Sequence, residues 1–189
     1  MGPVVDLGCG RGELLSELAT SHIDAIGVDS DPDMVTRARE KGVMVECADA
    51  LEYISKQADN SLGVIASTQF VEHLTSEQLV SLLRLSLCKL KANGLFVAET
   101  VNPHSVRALK TFWTDLTHVH PLFPETLVSW CGLLGFATAE VHFPVSTGDL
   151  ATDLRIQGEY AVVARKGVAR PATESAGDPG PHISLAPGK

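Results

Sequence analysis

The sequence predicts an α/β fold with a doubly wound, mostly parallel sheet of seven strands. Short apolar runs alternate with amphipathic helical segments along most of the chain, as in repeated strand–helix units. A glycine-rich stretch, residues 8–12, follows the first apolar run directly and opens a helix. With 189 residues, of which 44% are apolar, the chain is long enough for one domain with a hydrophobic core.

Each predicted strand is a short apolar run bounded by turn residues. The runs are residues 4–7, 25–28, 43–47, 62–66, 95–99, 137–143 and 160–164. Helical segments separate the first five runs, so these strands are expected to lie parallel. The last two runs alternate apolar and polar residues and form the final pair of the sheet.

The first three helices are predicted from an apolar stripe and from residues that favour helix starts. Leu14, Leu15 and Leu18 form the stripe of the first helix. Asp31 suits the cap of the second helix, and Pro32 takes its first position, where a proline costs little. A short third helix is expected from residue 51.

Two later helices carry clearer end signals. Thr75 and Gln78 have the spacing of a capping box, and a leucine-rich helical face follows them. This helix is expected to end at Asn93, where an Asn-Gly pair permits a left-handed backbone. The next helix opens at Pro124 and ends near Gly135.

Composition predicts one domain over residues 1–165 and a disordered tail over residues 166–189, because the tail is rich in Pro, Gly, Ala and Ser. Lys and Arg total 15 against 23 Asp and Glu, giving a net charge of −8, which argues against a nucleic-acid partner. The four cysteines form no C-x-x-C pair, as expected for reduced thiols in a cytoplasmic protein. No apolar run has the length of a membrane span, and we expect no signal peptide before the first strand.

The turn after the first strand has the features of a nucleoside site. Gly8 and Gly10 remove side chains where a ligand must approach the backbone, and the following helix directs free amides to the same place. Asp29 ends the second strand, where a carboxylate can accept hydrogen bonds from ribose hydroxyls. A dinucleotide fold favours G-x-G-x-x-G, but here the third glycine comes one residue early and Asp6 precedes the turn.

These departures resemble the first motif of the class I S-adenosylmethionine (SAM) methyltransferases. The resemblance implies a Rossmann-like sheet with an antiparallel last strand, and SAM as cofactor. It implies that Asp6 anchors the methionine end, that Asp49 meets the adenine amine, and that the Ala50 amide meets a ring nitrogen. Asp49 also suits a helix cap, and both roles are compatible. The cofactor-binding residues predicted in this way are Asp6, Gly8, Cys9, Gly10, Asp29, Ser30, Asp49, Ala50, Gln69 and Phe70.

Such methyltransferases usually carry residues before the first strand that help cover the cofactor. Here Val4 already belongs to that strand. We therefore expect a domain that is short at its N-terminus, through truncation or through an unusually open cleft.

A second motif follows the fourth strand. Residues 71–74, Val-Glu-His-Leu, resemble a stretch of small-molecule O-methyltransferases, including the quinone-modifying kind. In that family the end of this strand lies beside the methyl group, so Gln69 and Phe70 are expected to line the cofactor. His73 is expected to act on the acceptor. Alternatively, Glu72 and His73 are a structural pair that holds the loop.

The segment after the fifth strand is rich in aromatic residues and histidines, and long loops of this kind are usually functional. Its Asn-Pro-His element at residues 102–104 and its Asp-x-Thr-His-x-x-Pro element at 115–121 resemble methyltransferases of surface-glycan and sugar pathways. A sugar hydroxyl must lose its proton as it attacks, and histidine is suited to accept a proton near pH 7. We predict His118 as the base, oriented by Asp115, with His73 and His120 as further candidates. For each histidine, the alternative is a hydrogen bond that stabilises the loop.

His118 and His120, with Asp115, also resemble a set of metal ligands, because residues two apart lie on one side of an extended segment. Magnesium, which some sugar O-methyltransferases use, prefers oxygen ligands. We therefore expect no metal.

The resemblance as a whole implies a SAM-dependent methyltransferase that methylates a hydroxyl of a saccharide or another small molecule. A quinone or polyketide O-methyltransferase is the enzymatic alternative, supported by the Val-Glu-His-Leu stretch. A SAM-binding but catalytically silent partner subunit is a third hypothesis, and its discriminating result is tight SAM binding without transfer to any acceptor. The glycine spacing disfavours a nicotinamide oxidoreductase.

Overall fold

The computed structural model describes residues 2–168, and they form one seven-stranded sheet with helices between most strands. The strands are β1 (Val4–Leu7), β2 (Ala25–Asp29), β3 (Val45–Cys47), β4 (Leu62–Thr68), β5 (Leu90–Val101), β6 (Thr138–His142) and β7 (Glu159–Arg165). The helices are α1 (Glu13–Thr20), α2 (Pro32–Glu40), α3 (Ala50–Lys56), α4 (Ser76–Lys89), α5 (Val106–Phe112), α6 (Pro124–Leu134) and α7 (Leu150–Ile156). A single 3₁₀ turn, Val71–His73, follows β4.

The strand order β3-β2-β1-β4-β5-β7-β6 confirms the predicted doubly wound sheet. The chain builds outward from β1 to β3 and then returns to add β4 on the other side of β1. Strand β7 pairs antiparallel with both β5 and β6, as expected for the last strand. Because ligands bind where the order of a parallel sheet reverses, the topology places a cleft at the carboxyl ends of β1 and β4.

Two hydrophobic clusters cover the sheet. The larger one includes buried leucines of α4 and α6, among them Leu79, Leu82, Leu83 and Leu127. The smaller one joins α1 and α2 through Leu15, Val35 and Ala38. Each fully buried leucine of this kind contributes roughly 1.5–3 kcal/mol through removal of apolar surface from water. The two clusters hold the loops at the strand ends on a rigid base.

Several predicted boundaries were wrong. Strand β3 begins at Val45 rather than at residue 43, and β5 extends from Leu90 to Val101. Helix α4 ends at Lys89, earlier than predicted. Asn93 lies beyond the helix, in a left-handed backbone conformation with a φ of 62°. Its amide donates to the Lys166 carbonyl, so tertiary pairing takes the place of the expected helix end.

Two helices were not predicted, α5 and α7. Both have 7 residues and lie in segments that sequence patterns treat as loops. Each starts at a capping side chain, since Ser105 accepts from the Ala108 amide and Asp149 accepts from the Thr152 amide. With 7 residues each, they are too short for an apolar periodicity to be recognised.

The end of the described chain bears on the predicted domain boundary. Lys166 was assigned to the tail, but its amide donates to the Gly94 carbonyl and its ammonium group donates to the Leu90 carbonyl. The hydrogen-bonded domain therefore includes Lys166. The rest of the predicted tail, residues 169–189, lies outside the described residues. Within residues 2–168, no helix combines the length and the apolar character that crossing a membrane requires.

Candidate active site

The turn after β1 needs its glycines for two different reasons. Gly8 has a φ of 69°, and a Cβ there would lie 2.5 Å from the ring of Phe70. Gly10 has a φ of 51°, but a Cβ there would meet no atom within 4 Å. Gly8 therefore permits close packing against the loop after β4, whereas Gly10 leaves open space beside the backbone.

Asp29 fastens this turn to the end of β2. Its Oδ2 accepts a hydrogen bond from the Gly10 amide at 2.8 Å, and its Oδ1 accepts one from the Asp31 amide at 2.9 Å. A carboxylate has about four acceptor positions. The carboxylate is thus fixed in orientation by the backbone and still has capacity to accept hydrogen bonds from a pair of hydroxyl groups.

Asp6 lies beneath the glycine turn and is 1% exposed. Neither of its carboxyl oxygens has a hydrogen-bond partner among residues 2–168. Burial, together with the nearby charge of Asp29, raises the pKa of Asp6 from 3.8 to about 7. Buried polar groups are normally paired, so this orphaned carboxyl fits a bound group that supplies a donor or a positive charge.

A cleft opens between the ends of β2 and the loops after β3 and β4. It is lined by Gly8, Val28, Asp29, Ser30, Ala48, Asp49, Ala50, Leu51, Phe70, His73, Leu74 and Gln78. Six of the predicted cofactor residues are in this set: Gly8, Asp29, Ser30, Asp49, Ala50 and Phe70. The residue after β3 is tied to the end of β2, because the Ala48 amide donates to the Asp29 carbonyl at 3.0 Å.

The cap role of Asp49 is present in the structure. Its Oδ1 accepts a hydrogen bond from the Glu52 amide at 2.8 Å and so caps α3. Asp49 nonetheless lines the cleft, and its side chain is exposed. The cap fixes the position of the carboxylate at the place where the resemblance expects an adenine amine.

Two predicted cofactor residues are arranged differently from the others. The thiol of Cys9 packs inward, since a Cβ on Gly27 would come within 2.6 Å of its Sγ. Only the backbone of Cys9 therefore remains for ligand contact, and burial raises the pKa of the thiol to about 12. Gln69 is exposed and has a φ of 51°, while its amide donates to the Glu99 carbonyl at 2.9 Å.

The loop after β4 and the insertion after β5 meet in a cluster of two histidines. The ring centroids of His73 and His118 are 4.7 Å apart. The Val119 amide donates to the Glu72 carbonyl at 2.9 Å, which joins the two segments through the backbone. The sequence identified both histidines separately but gave no signal that they are neighbours.

Asp115 lies close to His118 but makes no hydrogen bond to it. Asp115 Oδ2 is 3.9 Å from His118 Nε2, which is too long for a hydrogen bond, whereas His118 Nδ1 contacts the Phe112 carbonyl at 2.8 Å. Asp115 instead accepts the hydroxyl of Thr117 at 2.6 Å, and that hydroxyl oxygen lies 3.0 Å from His73 Nδ1. Asp115 therefore orients His73 through Thr117.

These contacts define the same tautomer for both rings. A carbonyl can only accept, so His118 carries its proton on Nδ1. The Thr117 hydroxyl already donates to Asp115, so it accepts from His73 Nδ1. Each neutral ring thus keeps an unprotonated Nε2.

Beneath the histidines, Glu72 is fully buried at 0% exposure. Burial raises the pKa of its carboxyl, and the nearby histidines offset this only in part. Neither carboxyl oxygen has a partner with hydrogen-bond geometry among the described residues. Sequence reasoning treated Glu72 only as half of a structural pair and missed this unsatisfied carboxyl.

The remaining histidines of the insertion are outside this cluster. His104 Nε2 contacts Glu125 at 2.9 Å, so its role is to link the insertion to the start of α6. Asn102, of the same Asn-Pro-His element, is completely buried and donates to the carbonyls of Leu154 and Gln157. His120 is partly buried.

Comparisons with known proteins agree with this geometry. A family model described as a methyltransferase domain matches residues 4–94. The solved structure of a SAM-dependent methyltransferase from Archaeoglobus fulgidus is similar with a TM-score of 0.77 and 32% sequence identity, covering 87% of this chain and 86% of that chain. The ubiquinone biosynthesis O-methyltransferase of Agrobacterium fabrum is 31% identical over 115 residues, which is 58% of this chain and 45% of that protein. The carboxy-S-adenosyl-L-methionine synthase of Trichodesmium erythraeum is 27% identical over 128 residues, which is 64% of this chain and 49% of that protein.

The chain spans less than half the length of these two curated relatives but most of the archaeal structure. The residues present fit SAM. The open side of Gly10 admits a ligand beside the backbone, Asp29 keeps acceptor capacity for a ribose, and the unpaired Asp6 suits a cationic amino-acid group. This geometry and the matched relatives together show that the chain belongs to the class I SAM-dependent methyltransferases.

Proposed function

We propose that this chain transfers the methyl group of SAM to a hydroxyl of a small-molecule acceptor, with His73 as the base. The observation that carries the proposal is the position of His73. It lines the same cleft as Asp29 and Asp49, and its Nδ1 is engaged by Thr117. His118 was the first candidate from sequence, but its side chain is only 11% exposed.

Different residues of the chain would bind the cofactor and accept the proton of the acceptor. Asp29, Asp49 and the glycine turn would hold the nucleoside, and Asp6 would face the methionine end. When bound, SAM supplies a methyl group on a positively charged sulfur. The acceptor oxygen takes this methyl group as it loses its proton. His73 Nε2 accepts that proton, and the resulting positive charge is stabilised through Thr117 by Asp115. His118 packs against the ring and limits its rotation.

Three observations favour a phenolic acceptor over a saccharide. A ubiquinone biosynthesis O-methyltransferase is among the relatives. The insertion that carries His118 also exposes apolar side chains, since Trp113 is 59% exposed and Leu116 is 96% exposed. Exposed apolar side chains on this insertion suit an aromatic ring better than a strongly hydrated sugar. In addition, Asn102 of the sugar-type element is engaged in backbone hydrogen bonds.

The test is a methylation screen with SAM and mass detection of products, across phenols, catechols and nucleotide sugars. We expect transfer to a phenolic hydroxyl, and we expect His73→Ala to lower kcat by roughly 10²–10⁴ with little change in SAM affinity. His104→Ala is the matched control, because that histidine pairs with Glu125. Transfer only to sugars would show that the acceptor is a saccharide and not a phenol. Tight SAM binding without transfer to any acceptor would instead identify a silent partner subunit.

A further inference from the structure

Three side chains that commonly ligate metals meet beside the cleft. Glu72, His73 and His118 each offer a ligand atom, and these atoms lie within 4.8 Å of one another. The group differs from the one suggested by sequence, because it includes neither Asp115 nor His120. Glu72 and His73 come from the turn after β4, and His118 comes from the insertion after β5.

Both histidines are already oriented as metal ligands usually are. A ligating histidine normally donates its second ring N–H to a carbonyl or a hydrogen-bonded oxygen, which fixes the tautomer and raises the basicity of the free nitrogen. His118 makes this contact with the Phe112 carbonyl, and His73 makes it with Thr117. The oxygen of Thr117 is held in turn by Asp115.

Glu72 supplies the independent observation that a ligand is needed here. Its side chain is fully buried, and both carboxyl oxygens lack a hydrogen-bond partner within residues 2–168. The hydroxyl of Thr100 is close to this carboxyl but is itself buried without a partner. Because an unpaired buried carboxylate is costly, buried charges are normally paired or coordinate a metal.

We propose that Glu72, His73 and His118 bind one divalent transition-metal ion, with Zn²⁺ as the best-suited cation. Two imidazoles and one carboxylate are a common zinc ligand set, and three protein ligands leave a fourth position open. Mg²⁺ fits less well because it prefers oxygen ligands. Ligand atoms in a tetrahedral zinc site are about 3.4 Å apart, so small side-chain rotations complete the site.

The open position would face the cleft, because His73 lines it. The ion would use the same ring nitrogen that we assign to the base. Base catalysis by free His73 and metal ligation are therefore alternative uses of one side chain. The metal site is nevertheless tested without acceptor or SAM, so its failure is distinct from failure of the proposed methyl transfer.

The experiment uses the full chain, stripped with a chelator, in a Cys47→Ser/Cys88→Ser background that removes the two exposed thiols. Zn²⁺ binding is measured by calorimetry, and Co²⁺ is used as a spectroscopic probe of tetrahedral coordination. We expect one ion per chain. Glu72→Gln and His118→Ala should each weaken binding by about 100-fold or more, and Thr117→Val should weaken it by about 10–100-fold through the orientation of His73.

His104→Ala and His120→Ala are the controls and should keep the parent affinity. Thermal melting of each variant shows whether it is folded. If Glu72→Gln does not fold, His118→Ala alone tests the site. The proposal is overturned if no saturable binding occurs. It is equally overturned if a folded Glu72→Gln or His118→Ala variant binds Zn²⁺ as tightly as the parent.

Discussion

Asp29 fixes the glycine turn, and we propose that it also binds the ribose of the cofactor. It accepts hydrogen bonds from the Gly10 and Asp31 amides and retains acceptor positions toward the cleft. The side chain is therefore pre-oriented before a ligand arrives, so little ordering cost remains at binding.

Replacing Asp29 tests the nucleoside assignment. We expect Asp29→Ala to weaken S-adenosylhomocysteine binding by about 1.5–3 kcal/mol, the usual value for hydrogen bonds to a charged group. Calorimetry measures the change, with Asp33→Ala as an exposed control in the first turn of α2. Unchanged affinity in Asp29→Ala, or tight NAD binding by the parent, would contradict the assignment.

Asp6 makes stability depend on pH. Its pKa is about 7 in the folded chain, against 3.8 for an ordinary Asp carboxyl. Between these values the folded state binds more protons than the unfolded state, so the free energy of unfolding falls as pH rises through this window. Above the folded-state pKa the loss is complete.

Asp6→Asn should remove the contribution of Asp6 to the change in the free energy of unfolding with pH. Denaturant unfolding of the cofactor-free chain at pH 5 and at pH 8 measures it. We expect the parent to lose more stability than Asp6→Asn between the two conditions, and Asp33→Asn to behave like the parent. An identical slope in Asp6→Asn and the parent would show that Asp6 is not the group responsible.

At the level of elements, the site depends on how the insertion after β5 is attached. The Tyr160 hydroxyl, on β7, donates to the Leu122 carbonyl at 2.9 Å. Asn102 joins the end of β5 to the end of α7 through two hydrogen bonds to carbonyls. These buried contacts hold the insertion against the sheet and bring His118 to His73.

Replacing Asn102 distinguishes a structural role of this residue from a role in acceptor binding. Asn102→Ala leaves the Leu154 and Gln157 carbonyls without their donor, at a cost of about 1–3 kcal/mol for each unsatisfied group. We therefore expect a clear drop in melting temperature with little change in the acceptor KM. His104→Ala, which removes a surface pair with Glu125 and a ring contact with Phe123, is expected to be milder. A raised KM with unchanged stability would support a direct contact with acceptor.

At the scale of the whole molecule, the sheet and its two hydrophobic clusters account for the described fold. Residues 169–189 have a composition too poor in large apolar side chains to offset the entropy of ordering. We predict that deleting residues 169–189 leaves the melting temperature and the SAM affinity nearly unchanged. Differential scanning calorimetry and SAM titration of the truncated chain check this. A large loss in either quantity would show that these residues contribute to the fold or to the site.

The sequence was sufficient to predict the doubly wound sheet and to propose Asp29 and Asp49 as nucleoside ligands. These features depend on local signals. Apolar periodicity marks strands and helices, and Gly8 must be glycine where φ is 69°. Asp29 and Asp49 were found because parallel strands bring their carboxyl ends to one edge, so position along the chain implies position in space.

The arrangement around His73 and His118 could not be predicted from the sequence. The contact of His73 with Thr117 joins residues from distant segments, and the burial of Glu72 depends on what packs over it. Asp115 makes no hydrogen bond to His118, but it contacts His73 through the Thr117 hydroxyl. Hydrogen bonds between loops are set by the fold that brings the loops together, and no periodicity in the sequence records them.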